Sequence, residues 1–113
     1  MAACDVPDCG AGLMPAERVL PDVMELIDAR PSLLWIHVID SRALLGRRGF
    51  PDLLICGPHG MLAREVKPDQ WAQLSRQQTC WRWMLTANRV NYAIWTREDV
   101  GSGRVGRELD AIA

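Results

Sequence analysis

Two carboxylates and one ammonium are grouped near the middle of the chain. Asp52 closes the run Gly49-Phe50-Pro51-Asp52, and Glu65 and Lys67 stand in Glu65-Val66-Lys67. Two carboxylates suit a hard divalent cation, and Mg²⁺ in particular takes one or two protein carboxylates while keeping several waters. Such an ion lowers the pKa of a bound water and offsets charge on a phosphate. A neighbouring ammonium orients the attacking water or stabilises developing negative charge. These residue types therefore fit hydrolysis of a phosphodiester. Spacing alone leaves the alternative open, because Glu-x-Lys on a strand is often a solvated face and Pro-Asp a common turn.

The elements that must position these groups are legible. Asp52 to Cys56 reads as a strand, Gly57-Pro58-His59-Gly60 as a turn, and Met61 to Lys67 as the returning strand. Alternation then puts Ala63, Glu65 and Lys67 on one face and Leu62, Arg64 and Val66 on the other. Lys67 is the only lysine, every other basic residue being arginine, and the two types differ in hydration and in ease of deprotonation. After a short connection, Ser75-Arg76-Gln77-Gln78 matches a capping box. The helix it starts carries Trp81, Met84 and Leu85 and ends near Asn88, which can adopt a left-handed conformation.

Upstream, Val19, Val23, Leu26 and Ile27 recur at helical spacing from about Pro15 to Pro31, with Pro21 inside the pattern. Leu33 to Ile39 reads as a strand buried on both faces, and residues 40–49 as a polar loop with Arg42, Arg47 and Arg48. Val90 to Thr96 is a fourth strand, 98–103 a loop, and a helix follows from Arg104. The order α-β-β-β-α-β-α, with a helix between the last two strands, predicts an α/β fold with a mixed four-stranded sheet flanked by helices.

The length of 113 residues suits one core. The expected division is a flexible tail, 1–14, and one domain, 15–113. No run approaches the ~20 apolar residues that span a bilayer, and no basic stretch with an apolar core opens the chain, so a cytoplasmic protein without a membrane partner is expected. The net charge of −1 gives no support to a nucleic-acid partner. It is uneven, however, because the first thirty residues hold most of the excess acid. Arg42, Arg47 and Arg48 flank Asp52, and Arg76 and Arg82 share the second helix; all could reach phosphates. Cys56 and Cys80 read as small buried hydrophobes, and Cys4 and Cys9 lack a second ligand pair for zinc. Trp35 and Trp95 are expected in the core, and Trp71, Trp81 and Trp83 in the core or a dimer interface.

Gly49-Phe50-Pro51-Asp52, then Glu65-Val66-Lys67, then Leu74-Ser75-Arg76-Gln77-Gln78 resembles the VRR-NUC family of the PD-(D/E)XK nucleases, over about residues 15–113. The resemblance implies a restriction-endonuclease-like core and a Mg²⁺-dependent DNA endonuclease, with Mn²⁺ able to substitute. It implies Asp52 and Glu65 as metal-binding carboxylates, the Val66 carbonyl as a further ligand, Lys67 as catalytic lysine and Gln78 as the helix glutamine at the site. An upstream helix acid is also expected. Glu17 fits best and Glu25 is the alternative, because Pro21 stands where the family has Gln. Stand-alone domains of this size resemble Holliday-junction resolvases working as homodimers on branched DNA, in bacterial or phage-infected cells. A flap or duplex nuclease or nickase, and a non-catalytic DNA-binding module, remain the alternatives.

Overall fold

The structure is a computed structural model that describes residues 15–39 and 45–113, with side chains from residue 19 onward. The 1–14 tail, Cys4, Cys9 and Arg42 lie outside the described residues. Helix α1 (Pro15–Asp28) is followed by strands β1 (Leu34–His37), β2 (Leu53–Gly57) and β3 (Gly60–Val66), helix α2 (Arg76–Ala87), strand β4 (Tyr92–Trp95) and helices α3 (Arg97–Gly101) and α4 (Arg104–Ile112). The sheet runs β1-β2-β3-β4. β1 and β3 each pair antiparallel with β2, while β4 pairs parallel with β3. The parallel step needs a crossover, which α2 supplies. The predicted mixed four-stranded sheet is therefore present. The stretch read as a loop at 98–103 instead begins inside the short helix α3, which Thr96 caps: the Thr96 backbone N–H and hydroxyl both donate to Asp99 Oδ2, at 2.8 and 3.1 Å.

Strand alternation splits the sheet into two unlike faces. On one, Leu53, Ile55, Leu62, Val66 and Trp95 pack with Val19, Val23 and Ile27 of α1 and Val105, Leu109 and Ile112 of α4. α1 runs through Pro21, which stays exposed while the i, i+4, i+8 stripe of valines and isoleucine is buried. The β2–β3 turn is pinned to the end of α4 by the His59 N–H donating to the Ile112 carbonyl at 3.0 Å. Arg64 is the exception on this apolar face. It is 2 % exposed, yet its guanidinium donates to Glu108 Oε1, to the Asn91 carbonyl and to Asn91 Oδ1, and lies 5.2 Å from the Trp95 ring centroid. Burial pulls its pKa down and Glu108 opposes that pull. A buried charge persists here because nearly every donor has a partner.

The other face carries Ala63, Glu65, Tyr92 and Ile94, and α2 packs against it at β4. β1 departs from the expectation of burial on both faces. It is an edge strand, and Leu34 and Ile36 are 76 % and 60 % exposed. Trp35, on the core-side parity, is half-buried and donates to Asp28 Oδ1 at 3.0 Å. Trp71 and Trp83 are also exposed rather than in the core, and Cys80 is exposed and Cys56 only half-buried. After α2 the left-handed residue is Arg89 (φ 64°), not Asn88 (φ −95°). No helix among the described residues is long and apolar enough to cross a membrane.

The two faces predict unequal mutational costs. Ile55→Ala, at 0 % exposure of the side chain in the core, should lower unfolding free energy by about 2–5 kcal/mol. Ile36→Ala on the open face of β1 should stay within about 0.5 kcal/mol. Urea denaturation of both variants checks the difference.

Candidate active site

Asp52 lies one residue before β2, and the antiparallel register places it opposite Glu65 on the same face. Its Oδ2 accepts the Val66 N–H at 2.8 Å, which fixes the carboxylate against β3. The N–H and C=O of one strand residue point to the same side, so the Val66 carbonyl also faces the Asp52 side of β3. Glu65 is 3 % exposed. Burial, and then the charge of Asp52, push its pKa up to about 9, against the opposing pull of Lys67.

Two groups compensate the buried carboxyl. Gln78 Nε2 donates to Glu65 Oε2 at 3.0 Å, and Lys67 Nζ stands 3.8 Å from the same oxygen. Gln78 Oε1 in turn accepts from Lys67 Nζ at 3.2 Å and from the Ser75 N–H at 2.8 Å. The Gln78 N–H donates to Ser75 Oγ at 3.1 Å, which completes the capping box. Gln78 therefore caps α2 and touches the carboxyl and the ammonium with one side chain. The surroundings also settle its orientation, since the amide oxygen faces two donors and the nitrogen faces a carboxyl.

The placement of Gln78 depends on how α2 is seated, and α2 has no fully buried residue. Its seat is the turn before Asp52. Trp81 meets the Phe50 ring edge-on with centroids 5.1 Å apart, and Trp81 Nε1 donates to the Arg47 carbonyl at 3.3 Å. Gly49 has φ +98°, and a Cβ there would lie 2.6 Å from the Gln77 carbonyl carbon. The glycine thus lets the first turn of α2 lie directly on the backbone that leads into Asp52. Arg47 and Arg48 are exposed on this loop, and Arg76 and Arg82 are exposed on α2.

The structure therefore brings Asp52, Glu65, Val66, Lys67 and Gln78 together. It puts Glu17 on α1 without describing its side chain. Glu25 is exposed on α1, which packs on the sheet face opposite the carboxylate pair. Tyr92 is a neighbour that sequence reasoning missed. Its parallel register with Ala63 turns its ring to the site face, where burial and then the charge of Glu65 raise its pKa to about 12. The signal was the parity of β4 relative to β3, which requires knowing that the two strands pair.

No three His, Cys, Asp or Glu side chains gather among the described residues. The available donors are two carboxylates and a backbone carbonyl, an all-oxygen set that leaves room for water. That fits Mg²⁺ or Mn²⁺ and not a zinc centre. The upward shift of Glu65 supports the fit, because two adjacent carboxylates with one lysine are short of positive charge, and a divalent cation supplies it.

A solved structure described as "VRR_NUC domain" is similar to this chain, with a TM-score of 0.65 and 22 % identity over 80 % of this chain and 95 % of that one. No protein-family model matches the chain, and no curated protein matches it. The likeness shows that the chain has the fold of a VRR_NUC domain, a restriction-endonuclease-like α/β arrangement.

Two variants probe the geometry without any assay of turnover. With its folded pKa above the ordinary 4.5, Glu65 retains a proton that the unfolded chain gives up. Its contribution is complete below about pH 4.5 and is lost as pH rises toward 9. In EDTA, Glu65→Gln should therefore stabilise the protein at pH 8 by at least about 1 kcal/mol, the worth of one pKa unit, with the gain vanishing near pH 4. Thermal melts across that range measure it. Gly49→Ala should cost about 1–3 kcal/mol through its positive φ and its collision with α2, read by urea denaturation.

Proposed function

We propose that this chain is a metal-dependent endodeoxyribonuclease that hydrolyses phosphodiester bonds. The observation that carries the reading is the meeting of Asp52, Glu65, Lys67 and Gln78 beneath the first turn of α2, with Lys67 Nζ 3.8 Å from the buried Glu65 carboxyl. Asp52, Glu65 and the Val66 carbonyl would hold Mg²⁺, or Mn²⁺ in its place. When bound, the ion supplies a more acidic water and a counter-charge for the phosphate.

The protein groups divide the remaining work. The Val66 N–H keeps the Asp52 carboxylate turned toward Glu65. Gln78 holds Lys67 Nζ by its amide oxygen, so the ammonium is presented at the carboxylate pair rather than left to swing. From there it can orient the attacking water and stabilise charge on the phosphate oxygens. The first turn of α2 lies over the site, and a helix N-terminus favours an anionic substrate. Arg47, Arg48 and Arg76 are exposed on the segments that frame the site, and are assigned to phosphate contacts that position without reading sequence. Arg42 is assigned with them from its place in the sequence alone, shortly before Arg47. Glu17 is kept as the upstream acid.

For the substrate, we favour branched DNA cut by a symmetric dimer. A two-fold axis sets two sites on two strands of a four-way junction. Trp83 and Met84, 72 % and 61 % exposed on α2, offer apolar surface that a second copy would cover.

Labelled four-way junction, flap, single-stranded and duplex DNA, incubated with Mg²⁺, Mn²⁺ or EDTA, test this reading. Paired nicks on the junction are expected, lost in EDTA. Asp52→Ala and Lys67→Ala should each reduce cleavage at least about 100-fold with DNA binding retained. Metal-dependent cutting confined to the other substrates would remove the junction assignment. Absence of cutting on every substrate would leave a DNA-binding module. Arg76→Ala should weaken binding equally across sequences and lower the salt dependence by about one counterion.

A further inference from the structure

Past the outer edge of β4 a cavity of about 310 Å³ opens beside the site just described. Its apolar floor is Ala72 and Ile94, and Asp69, Gln70, Thr96 and Glu98 contribute to its walls. The size lies at the lower end of the range for small-molecule sites, about 300–1,000 Å³, and suits one planar heterocycle. Its position is fixed by the β3–β4 ladder. Ile94 pairs with Glu65, and the Lys67 N–H donates to the Trp95 carbonyl at 2.9 Å, so Thr96 follows directly beside Lys67. The cavity thus begins about one strand spacing, roughly 4.8 Å, from the catalytic face of β3.

Its chemistry differs from that of the site. The one cation of the lining, Arg104, is already held by Asp99 at 3.1 Å and by Glu108 at 2.7 Å. The remaining charges are carboxylates, which repel a phosphodiester but accept N–H donors such as the amino groups of a base. An apolar floor takes the face of a ring. Trp71, 78 % exposed, sits on the same turn, its backbone N–H donating to Asp69 Oδ1 at 2.8 Å, and adds an indole on which a base can stack.

We propose that this cavity receives one nucleobase of the bound DNA, turned out of its stack, while the adjoining phosphate lies at Asp52, Glu65 and Lys67. The proposal rests on the nuclease reading above. It makes Ala72, Ile94 and Gln70 determinants of which nucleotide flanks the cut. Extrusion of a base costs least where pairing is already broken, which ties the cavity to a preference for branched or unpaired substrates.

The experiment is an abasic scan. Otherwise identical labelled junctions carry a single tetrahydrofuran residue, moved one nucleotide at a time across the bound segment. Binding is measured by anisotropy in EDTA, and cleavage in Mg²⁺ alongside. One position should weaken binding by the intact chain roughly tenfold, the effect of losing about 1.4 kcal/mol of stacking and hydrogen bonding. Ala72→Phe, which fills the cavity, should abolish that sensitivity. Gln70→Ala, at an exposed position, should fold normally and flatten discrimination among the four bases there. Binding that changes less than twofold at every abasic position overturns the proposal, as does Ala72→Phe with undiminished sensitivity. Cutting without any base dependence rejects the cavity and leaves the nuclease. Base-dependent binding without cutting in Mg²⁺, or in Mn²⁺ in a parallel reaction, keeps the cavity and rejects the nuclease.

Discussion

The burial of Glu65 beside Asp52 is the constraint on which the arrangement of this molecule depends. A carboxyl at 3 % exposure facing a second carboxylate is costly unless donors and a cation surround it. The chain meets that demand with groups far apart in sequence. Gln78 donates from α2, Lys67 approaches from the next position on the same face of β3, and the Val66 N–H holds Asp52. Each requires a particular local structure: a hairpin in one register, a helix starting at one residue, and a turn narrow enough for that helix to lie on it. The two glutamine roles are coupled as a result. Gln78 reaches the site only from the third helical position of α2, and that is also the position from which it caps Ser75.

This explains why a helix without a fully buried residue keeps a defined place. Helices in small domains are held mainly by burying an apolar stripe. α2 is held instead by its contacts with the segment leading to Asp52: the close approach to Gly49, the Phe50–Trp81 edge contact and the bond to the Arg47 carbonyl. The apolar core on the far side of the sheet, from Val23 to Leu109, gives the strands their rigidity and leaves the site face open. The apolar core and the carboxylate pair thus lie on opposite faces of the same sheet. Arg64 and Glu65 are adjacent residues that make the division visible. One is neutralised from the core side by Glu108, and the other is buried and faces Asp52 on the site side, both of which raise its pKa.

What the sequence disclosed follows from the range of each signal. Parity within one hairpin is local, so the shared face of Glu65 and Lys67 was readable from Met61 to Lys67 alone. The capping box is local too, and Ser75 and Gln78 form it as expected. Properties that depend on which strand or helix lies alongside were not readable. An apolar run such as Leu33 to Ile39 looks the same at a sheet centre and at an edge, and Leu34 and Ile36 proved exposed because β1 has a neighbour on one side only. The burial of Arg64 required Glu108 and Asn91, distant in sequence, and Tyr92 joined the site only through its pairing with β3. The left-handed residue after α2 was misplaced by one position, within the usual uncertainty of helix ends.

Net charge is a coarse guide for a similar reason. A value of −1 argues against an anionic partner only if acids and bases are spread alike over the surface. They are not. Asp99, Glu108 and Asp110 are engaged by Arg104, Arg64 and Arg30, away from the carboxylate pair. Arg47, Arg48, Arg76 and Arg82, on the loop and helix that frame Asp52, form no ion pair among the described residues. Pairing removes much of the long-range field of a charge, whereas an unpaired arginine keeps its own within a Debye length. The surface an anionic ligand would meet is therefore more positive than the composition suggests. Three of the acids that balance the sum, Asp99, Glu108 and Asp110, are held by arginines, and Asp52 and Glu65 are those whose charge a divalent cation would offset.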